Sequence, residues 1–311
     1  MFWLNRVPPA TRGAILLVSG ISIFGFSDNL TLLVSDQVGV GQFHFSRSLL
    51  SIVLVVFIGR IFGLSVVPRH WKPILMRTVF MVTSMLLYFG VMPMMPLTEA
   101  AAGLFTSPIF VLIFSAVFFK ERIGWRRIMA VIIGTCGVIM VLQPNSESFS
   151  FYHFLPVLAG ACYAMGSIIT YRYLRDESPL AILMGFIVSI GLCGAIGSTA
   201  LTVFPVSNEL LNQAPFLFKG WQSVDGLFWL LMAVIAACAS ISLSLMTRAY
   251  QLTKTSYAAI YEYAYLISAG LFGWLFWGVV PGIISVLGTT LITLAGVVIV
   301  LAQQQNSEEA N

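Results

Sequence analysis

Long apolar segments alternate with short polar ones along nearly the whole chain. Ten such segments can be marked, and at about 1.5 Å per helical residue each is long enough to cross a hydrocarbon layer of about 30 Å. They run at about 13–35, 41–62, 73–93, 97–119, 125–142, 154–174, 179–204, 226–248, 255–278 and 281–302. This pattern predicts an all-α polytopic membrane protein with ten transmembrane helices.

Lysine and arginine residues collect in every second connection between these segments. If the N-terminus is placed in the cytoplasm, 14 of the 16 basic residues fall on the cytoplasmic side, whereas Lys219 lies outside and Arg47 lies within a segment. The 14 are Arg6, Arg12, Arg60, Arg69, Lys72, Arg77, Lys120, Arg122, Arg126, Arg127, Arg172, Arg175, Arg248 and Lys254. Cytoplasmic loops carry such an excess of positive charge. We therefore predict a multi-pass protein of the cell inner membrane with both termini in the cytoplasm.

Composition supports this interpretation. Apolar residues make up 59% of the 311 residues and charged residues only 9%, with a mean hydropathy of +0.94. A soluble domain carries about 25% charged residues, so most of this surface must face lipid. The net charge of +4 does not indicate nucleic-acid binding. All four cysteines lie within apolar segments without metal-ligand spacing, and we expect no metal, disulfide or cofactor.

The stretch from residue 97 to 144 carries the most specific pattern. An apolar run that contains Ser107-Pro108 ends in a charged turn at 120–127, and a second apolar run with Gly134 and Gly137 follows. The charged residues of the turn would each cost several kcal/mol in lipid, so the turn faces water. The stretch is predicted to be a helical hairpin with a local bend at Ser107-Pro108.

The order of these features resembles the fourth and fifth helices of the drug/metabolite transporter superfamily, EamA type. Ser107-Pro108, the Lys-Glu-Arg sequence at 120–122, the Gly-Trp-Arg-Arg sequence at 124–127, and Gly134 with Gly137 carry the resemblance. The resemblance implies a ten-helix transporter of small molecules, and it assigns no substrate.

The two halves of the chain are similar to one another. Leu97-Thr98 opens the fourth segment and Leu252-Thr253 opens the ninth, and in each case small residues, a long apolar run and a glycine-containing run follow. A repeat of five segments, an odd number, places the second copy in the membrane upside down. Val279 stands where the resemblance expects a second glutamate like Glu121. We predict a first EamA-like repeat at 1–142, a linker at 143–153, an inverted second repeat at 154–302 and a disordered tail at 303–311.

Four ionisable residues lie inside apolar segments, where burial is expensive and a functional role is expected. They are Asp28, His44, Arg47 and Glu262. Asp28 and Arg47 both lie roughly 10 Å below the outer surface, so they could pair, and His44 shares the helical face of Arg47. That pair could be purely structural or could contact a substrate. Glu262 has no basic residue at its depth. It could exchange a proton, hold a substrate amine, or remain protonated and hydrogen-bonded.

Tyrosines accompany these residues. Tyr257, Tyr261 and Tyr265 repeat every four residues beside Glu262. An aromatic cavity with an acid suits an organic cation or zwitterion, through cation–π contacts and stacking. Alternatively, the tyrosines are core and membrane-interface residues. The predicted substrate-binding residues are Asp28, His44, Arg47, Tyr88, Tyr163, Tyr261, Glu262 and Tyr265.

These patterns favour a secondary active transporter of a small organic metabolite that works by alternating access, with protons as a possible coupling ion. The predicted partners are this substrate and the lipid bilayer, and the chain is expected to be a monomer or homodimer. An exporter of amino acids or drugs is an alternative. A membrane-embedded enzyme is another, but the three histidines are scattered and supply no catalytic cluster. No P-loop occurs, so an ATP-driven pump is disfavoured.

The charge asymmetry makes the topology testable. Reporter fusions at Arg69, Arg126 and Arg175 are expected to give a cytoplasmic signal, and a fusion near Gln213 an external signal. A cytoplasmic signal at Gln213 would contradict the ten-segment topology.

Overall fold

The structure, a computed structural model, describes residues 8–91, 103–121, 123–142, 154–278, 282–284 and 286–295. Every regular element in this part of the chain is a helix. The helices are α1 (Pro9–Ser35), α2 (Val40–Phe62), α3 (Trp71–Val91), α4 (Ser107–Val117), α5 (Trp125–Leu142), α6 (Phe154–Tyr173), α7 (Pro179–Val203), α8 (Asn208–Gln213), α9 (Pro215–Phe218), α10 (Gly226–Leu252), α11 (Thr255–Tyr261), α12 (Ala264–Trp277) and α13 (Val286–Ala295).

The helices follow the predicted segments. Six of them (α1, α2, α3, α6, α7 and α10) are long and apolar enough to cross a membrane, and α4, α12 and α13 are shorter apolar helices. Each of the ten predicted segments contains at least one helix, which confirms a helical polytopic membrane protein. The two-repeat arrangement stays a prediction. The predicted linker, the predicted tail and Val279 lie outside the described residues.

Local sequence signals explain where several helices begin and end. Pro9 and Pro179 occupy the first turns of α1 and α7, where a missing N–H costs nothing. The Asp225 side chain accepts a hydrogen bond from the Phe228 backbone N–H at 2.8 Å and so caps α10. Gly63 ends α2 in the left-handed conformation, with φ of 62°, which a residue without Cβ adopts at little cost.

Two predicted segments are interrupted in the structure. The ninth was predicted as one helix, but it divides into α11 and α12 at Glu262-Tyr263. There the Tyr265 N–H donates to the Glu262 carbonyl at 3.0 Å, a bond between residues three apart rather than the four of an α-helix. In the fourth, a turn at Thr106 precedes α4, and Pro108 lies in the first turn of α4. The bend predicted at Ser107-Pro108 is therefore confirmed.

Within the described residues, the charged turn predicted at 120–127 includes part of the connection between α4 and α5, and its last three residues, Trp125 to Arg127, begin α5. Glu121 accepts hydrogen bonds from Arg127 at 3.0 Å and from Arg172 at 3.5 Å. The Arg172 guanidinium lies 4.1 Å from the centroid of the Phe119 ring. Arg172 ends the sixth segment, so this turn joins α4 and α5 to the end of α6.

Helices from the first half of the chain pack mainly against helices from the second half. α1 packs on α10 and α12, α3 packs on α6, and α2 packs on α7. The α2–α7 crossing is close because glycines meet there: a Cβ at Gly41 would lie 2.7 Å from the Gly194 carbonyl oxygen. Small residues at helix crossings permit the close backbone contact on which packing in lipid depends.

Polar contacts tie the connections together at both ends of the bundle. At the end where α1 begins, Glu177 accepts hydrogen bonds from the backbone N–H groups of Arg69 at 3.0 Å and His70 at 2.9 Å. At the opposite end, the side-chain amide of Gln42 exchanges two hydrogen bonds with the backbone of Gln222, at 2.8 and 2.9 Å. The connection that contains Gln222 also includes α8 and α9.

The Glu177 contact predicts a pH-dependent contribution to stability. Burial alone raises the pKa of this carboxyl, but hydrogen bonds from the backbone N–H groups of His70, Ser178 and Arg69 outweigh burial and hold the pKa below its ordinary value of 4.5. We expect Glu177→Gln to lower the unfolding free energy by about 1.5–3 kcal/mol at pH 7, as for hydrogen bonds to a charged group.

Because the folded-state pKa is depressed, this contribution is present above the ordinary pKa and is lost as the pH falls through the folded-state value. Thermal unfolding in detergent from pH 7 down to pH 3 measures it, with the exposed Glu209→Gln as the control. Equal melting temperatures for wild type and Glu177→Gln at pH 7 would contradict the prediction.

Candidate functional site

A cavity of about 100 Å³ lies inside the bundle, between helices of both halves of the chain. α3 contributes Arg77, Met81, Met85 and Tyr88, which recur at helical spacing along one face. α10 contributes a second stripe of four, from Leu243 to Tyr250. Most lining side chains are apolar or aromatic, and the acidic ones are Asp28 and Glu262.

Glu262 lies at the interruption between α11 and α12, 3% exposed. Its Oε1 accepts hydrogen bonds from the hydroxyls of Tyr163 on α6 and Tyr250 on α10, both at 2.6 Å. The Ser107 hydroxyl donates to Oε2 at 3.5 Å. Three helices therefore supply donors to one buried carboxyl, which offsets the cost of removing it from water.

Asp28 on α1 is the second acid of the cavity. Its Oδ2 accepts a hydrogen bond of 2.6 Å from the Tyr265 hydroxyl, and Tyr265 belongs to α12. Tyr88 lines the same cavity from the last turn of α3. Asp28, Tyr88, Tyr163, Glu262 and Tyr265, all predicted from the sequence, are thus brought together around one cavity.

Three other predicted site residues are not among its lining residues. Arg47 and Asp28 make no direct ion pair in the structure, although the Arg47 charge is near enough to act on Asp28. Arg47 instead bonds His44 Nδ1 at 3.1 Å and lies 5.3 Å from the centroid of the Phe43 ring. The predicted Asp28–Arg47 pairing is therefore wrong, because Tyr265 takes the place of the arginine.

Tyr261 is buried, but it is not among the residues that line the cavity. The predicted stripe of Tyr261 and Tyr265 assumed an unbroken helix. The interruption at Glu262-Tyr263 changes the rotation between the two tyrosines, so only Tyr265 lines the cavity.

Tyr250 and Arg77 line the cavity but were not predicted as site residues. Arg77 had been assigned to the cytoplasmic surface, whereas the structure buries it, 6% exposed, six residues into α3. Six residues correspond to a depth of about 9 Å. The depth estimate that was used for Asp28 would therefore also have identified Arg77 as a residue inside the membrane. Tyr250 lies near the end of α10 and has no comparable signal in the sequence.

Within the described residues, no group of three acids, cysteines or histidines could hold a metal ion.

Comparison with known proteins identifies the type of bundle. Residues 11–143 match the EamA-like transporter family. The match extends from α1 to the end of α5. A crystal structure with 14% sequence identity shares the fold, with a TM-score of 0.75 over 95% of this chain and 98% of that chain.

Curated relatives match this chain over most of their length. The pseudopaline exporter of Pseudomonas aeruginosa is 23% identical over 91% of this chain and 94% of its own length. The S-adenosylmethionine uptake transporter of Rickettsia felis is 24% identical over 88% and 86%, respectively. The riboflavin transporter of Brucella anthropi is 23% identical over 72% and 74%.

The geometry around Asp28 gives a direct test of the α1–α12 contact. Tyr265→Phe removes the hydroxyl that donates to this carboxyl and leaves it without that donor. We expect the protein to lose about 1–3 kcal/mol of unfolding free energy, measured by thermal unfolding in detergent. Tyr173→Phe, at an exposed tyrosine at the end of α6, is the control. A Tyr265→Phe protein as stable as the control would show that the hydrogen bond contributes nothing.

Proposed function

We propose that this protein is a secondary active transporter of a small organic metabolite, cationic, zwitterionic or aromatic, with Glu262 as a proton-exchanging group. The observation that carries the proposal is the carboxyl of Glu262, buried in a cavity and held by tyrosines of two other helices. An ionisable residue at membrane depth marks a substrate or ion pathway by default. Asp28, Tyr88, Tyr163 and Tyr265 complete the proposed substrate site.

The packing supports an arrangement of ten helices in two inverted repeats, 1–142 and 154–302. In such an arrangement α1 corresponds to α6, α2 to α7 and α3 to α10. Exchanging corresponding helices turns the observed α1–α10 contact into the observed α3–α6 contact. The same exchange leaves the α2–α7 contact unchanged. The interruptions before α4 and between α11 and α12 fall at corresponding places in the fourth and ninth segments. Interrupted helices at the interface of inverted repeats form the substrate sites of many transporters.

Alternating access is supported by the small size of the cavity. A volume of about 100 Å³ is below the about 300–1,000 Å³ of common ligand sites, so binding a metabolite requires helices to separate. Because the helices of the two halves interlock, the moving bodies combine helices from both halves rather than following the halves of the sequence.

Membrane and orientation follow from charge. We place the protein in the cell inner membrane with both termini in the cytoplasm, because the described basic residues predicted to be cytoplasmic, apart from the buried Arg77, lie near helix ends or in connections on the side of the bundle where α1 begins. Import and export are both compatible with the proposal, since the relatives include a named exporter and a named uptake transporter. Monomer and homodimer are both compatible with the proposal.

Glu262→Gln tests the proposed role, because it keeps the shape and one acceptor oxygen while removing the titratable proton. In proteoliposomes, we expect uptake of a substrate found in a metabolite panel to fall at least about 10-fold, the lower end of what loss of one transition-specific interaction costs. The residual uptake is expected to be independent of an imposed pH gradient.

The matched control is Glu209→Gln, on the exposed surface of α8. It is expected to retain the wild-type rate and the wild-type response to the gradient. A Glu262→Gln protein with both of these properties would exclude Glu262 from the transport mechanism.

A further inference from the structure

Arg77 is a buried cation whose hydrogen-bonding capacity is only partly used. Its side chain lines the cavity from α3 and is 6% exposed as a residue. Nε donates to the Thr170 hydroxyl oxygen at 2.8 Å, and the Thr170 hydroxyl donates in turn to the Gly166 carbonyl at 2.9 Å. Nη1 is buried without a hydrogen-bond partner. The guanidinium is thus held at one edge by α6, while another donor nitrogen remains unused.

No carboxylate in the described part of the chain forms an ion pair with Arg77. Glu262, the acid at this end of the cavity, accepts its hydrogen bonds from Tyr163, Tyr250 and Ser107. Tyr163 lies near both Arg77 and Glu262, and its hydroxyl donates a hydrogen bond to the carboxyl of Glu262. By contrast, the buried Arg127 pairs with the carboxylate of Glu121 at 3.0 Å.

An unsatisfied buried donor on a charged group is costly and calls for an explanation. Replacing the arginine by an apolar residue of similar size would remove that cost if packing were its only purpose. The cavity itself supplies the explanation. A planar guanidinium presents paired N–H groups that match the two oxygens of a carboxylate.

We propose that Arg77 is an anion subsite that binds the carboxylate of a zwitterionic substrate, whose cationic part faces Asp28. This assignment rests on the proposed transport function and narrows its substrate class. Arg77 and Tyr88 lie 11 residues apart on one face of α3, which corresponds to about 16 Å along the helix. Met81 and Met85 lie between them. The substrate therefore carries its anionic group near one end and its cationic group towards the other, with an apolar portion between.

Charge balance agrees with a zwitterion. A ligand with one carboxylate and one cationic group brings an opposite charge to Arg77 and to Asp28 without changing the net charge of the cavity. A simple cation would leave Arg77 without a counter-ion, and a simple anion would leave Asp28 with only the Arg47 charge, which makes no direct ion pair with it.

Pairs of compounds that differ by one carboxylate test this assignment. The probes carry the two charges at opposite ends of an apolar portion: 8-aminooctanoate with heptylamine, 6-aminohexanoate with pentylamine, and 4-(aminomethyl)benzoate with benzylamine. Thermal stabilisation of the purified protein is measured as a function of probe concentration. For at least one pair we expect the carboxylated compound to bind wild type at least 10-fold more tightly, and Arg77→Gln to remove that preference. The exposed Arg60→Gln, at the end of α2, is expected to retain it.

A second measurement separates ligand binding from a structural role. Without ligand, Arg77→Gln is expected to melt at or above the wild-type temperature, because the substitution removes a buried unpaired charge. If Arg77→Gln does not fold, two other variants replace it: Arg77→Lys, which keeps the charge without the planar fork, and Thr170→Val, which removes the acceptor that orients Nε. Both are expected to weaken the carboxylate preference.

The outcomes distinguish this subsite from the transport function. A wild-type protein that prefers the carboxylated member of no pair overturns the anion subsite, and uptake by the same protein leaves the proposed function intact. A carboxylate preference that Arg77→Gln removes, in a protein that moves none of the probes across a liposome membrane, supports the subsite and contradicts transport of these compounds. A preference that survives Arg77→Gln also overturns the assignment.

Discussion

Carboxyl groups in the membrane interior constrain the rest of this bundle, because lipid offers them no hydrogen-bond donors. The protein meets this demand with tyrosines on distant parts of the chain. Glu262 accepts hydrogen bonds from tyrosine hydroxyls of α6 and α10, and Asp28 accepts one from a tyrosine hydroxyl of α12. The bonds from Tyr163 and Tyr265 join residues 99 and 237 positions apart, whereas Tyr250 lies 12 residues before Glu262. The polar groups of the cavity therefore also fix how the long apolar helices are placed around it.

The interrupted helices belong to the same arrangement. Glu262 lies at the break between α11 and α12, and Ser107 begins α4 directly after the turn at Thr106. The two side chains meet at 3.5 Å. Backbone that departs from the α-helix is tolerated at membrane depth where it is buried in protein or lines a cavity. Both breaks satisfy this condition, so polar side chains and irregular backbone are concentrated in one part of the bundle.

Sequence reasoning predicted the helices and much of the cavity, because apolar length and the cost of buried charge are local properties. Asp28 and Glu262 were found in this way, and the bend at Ser107-Pro108 followed from proline. Partnerships were harder to predict. Equal depth suggested that Asp28 pairs with Arg47, but the rotation of α1 and α12 brings a tyrosine to Asp28 instead. Depth alone does not determine which side of a helix faces which neighbour.

Arg77 was missed for a different reason. Counting basic residues by side treats every charge near a helix end as a surface charge, and Arg77 lies only six residues into α3. The break at Glu262-Tyr263 had no proline or glycine to announce it, and it removed Tyr261 from the predicted stripe. Both errors come from packing between helices, which the pattern of one segment does not contain.

The contacts at the two ends of the bundle share a property with a consequence for how related sequences diverge. Glu177 is held by the main-chain N–H groups of Arg69, His70 and Ser178, and Gln42 bonds the main chain of Gln222. Apart from the 3.3 Å contact between the His70 ring and Glu177, each contact depends on the identity of one side chain and only on the backbone path of the other partner. The residues at 69 and 222 are thus free to change without compensating changes at 177 or 42. Correlated substitution between these positions would give no sign that the connections touch, even though they join the two halves of the chain at both ends.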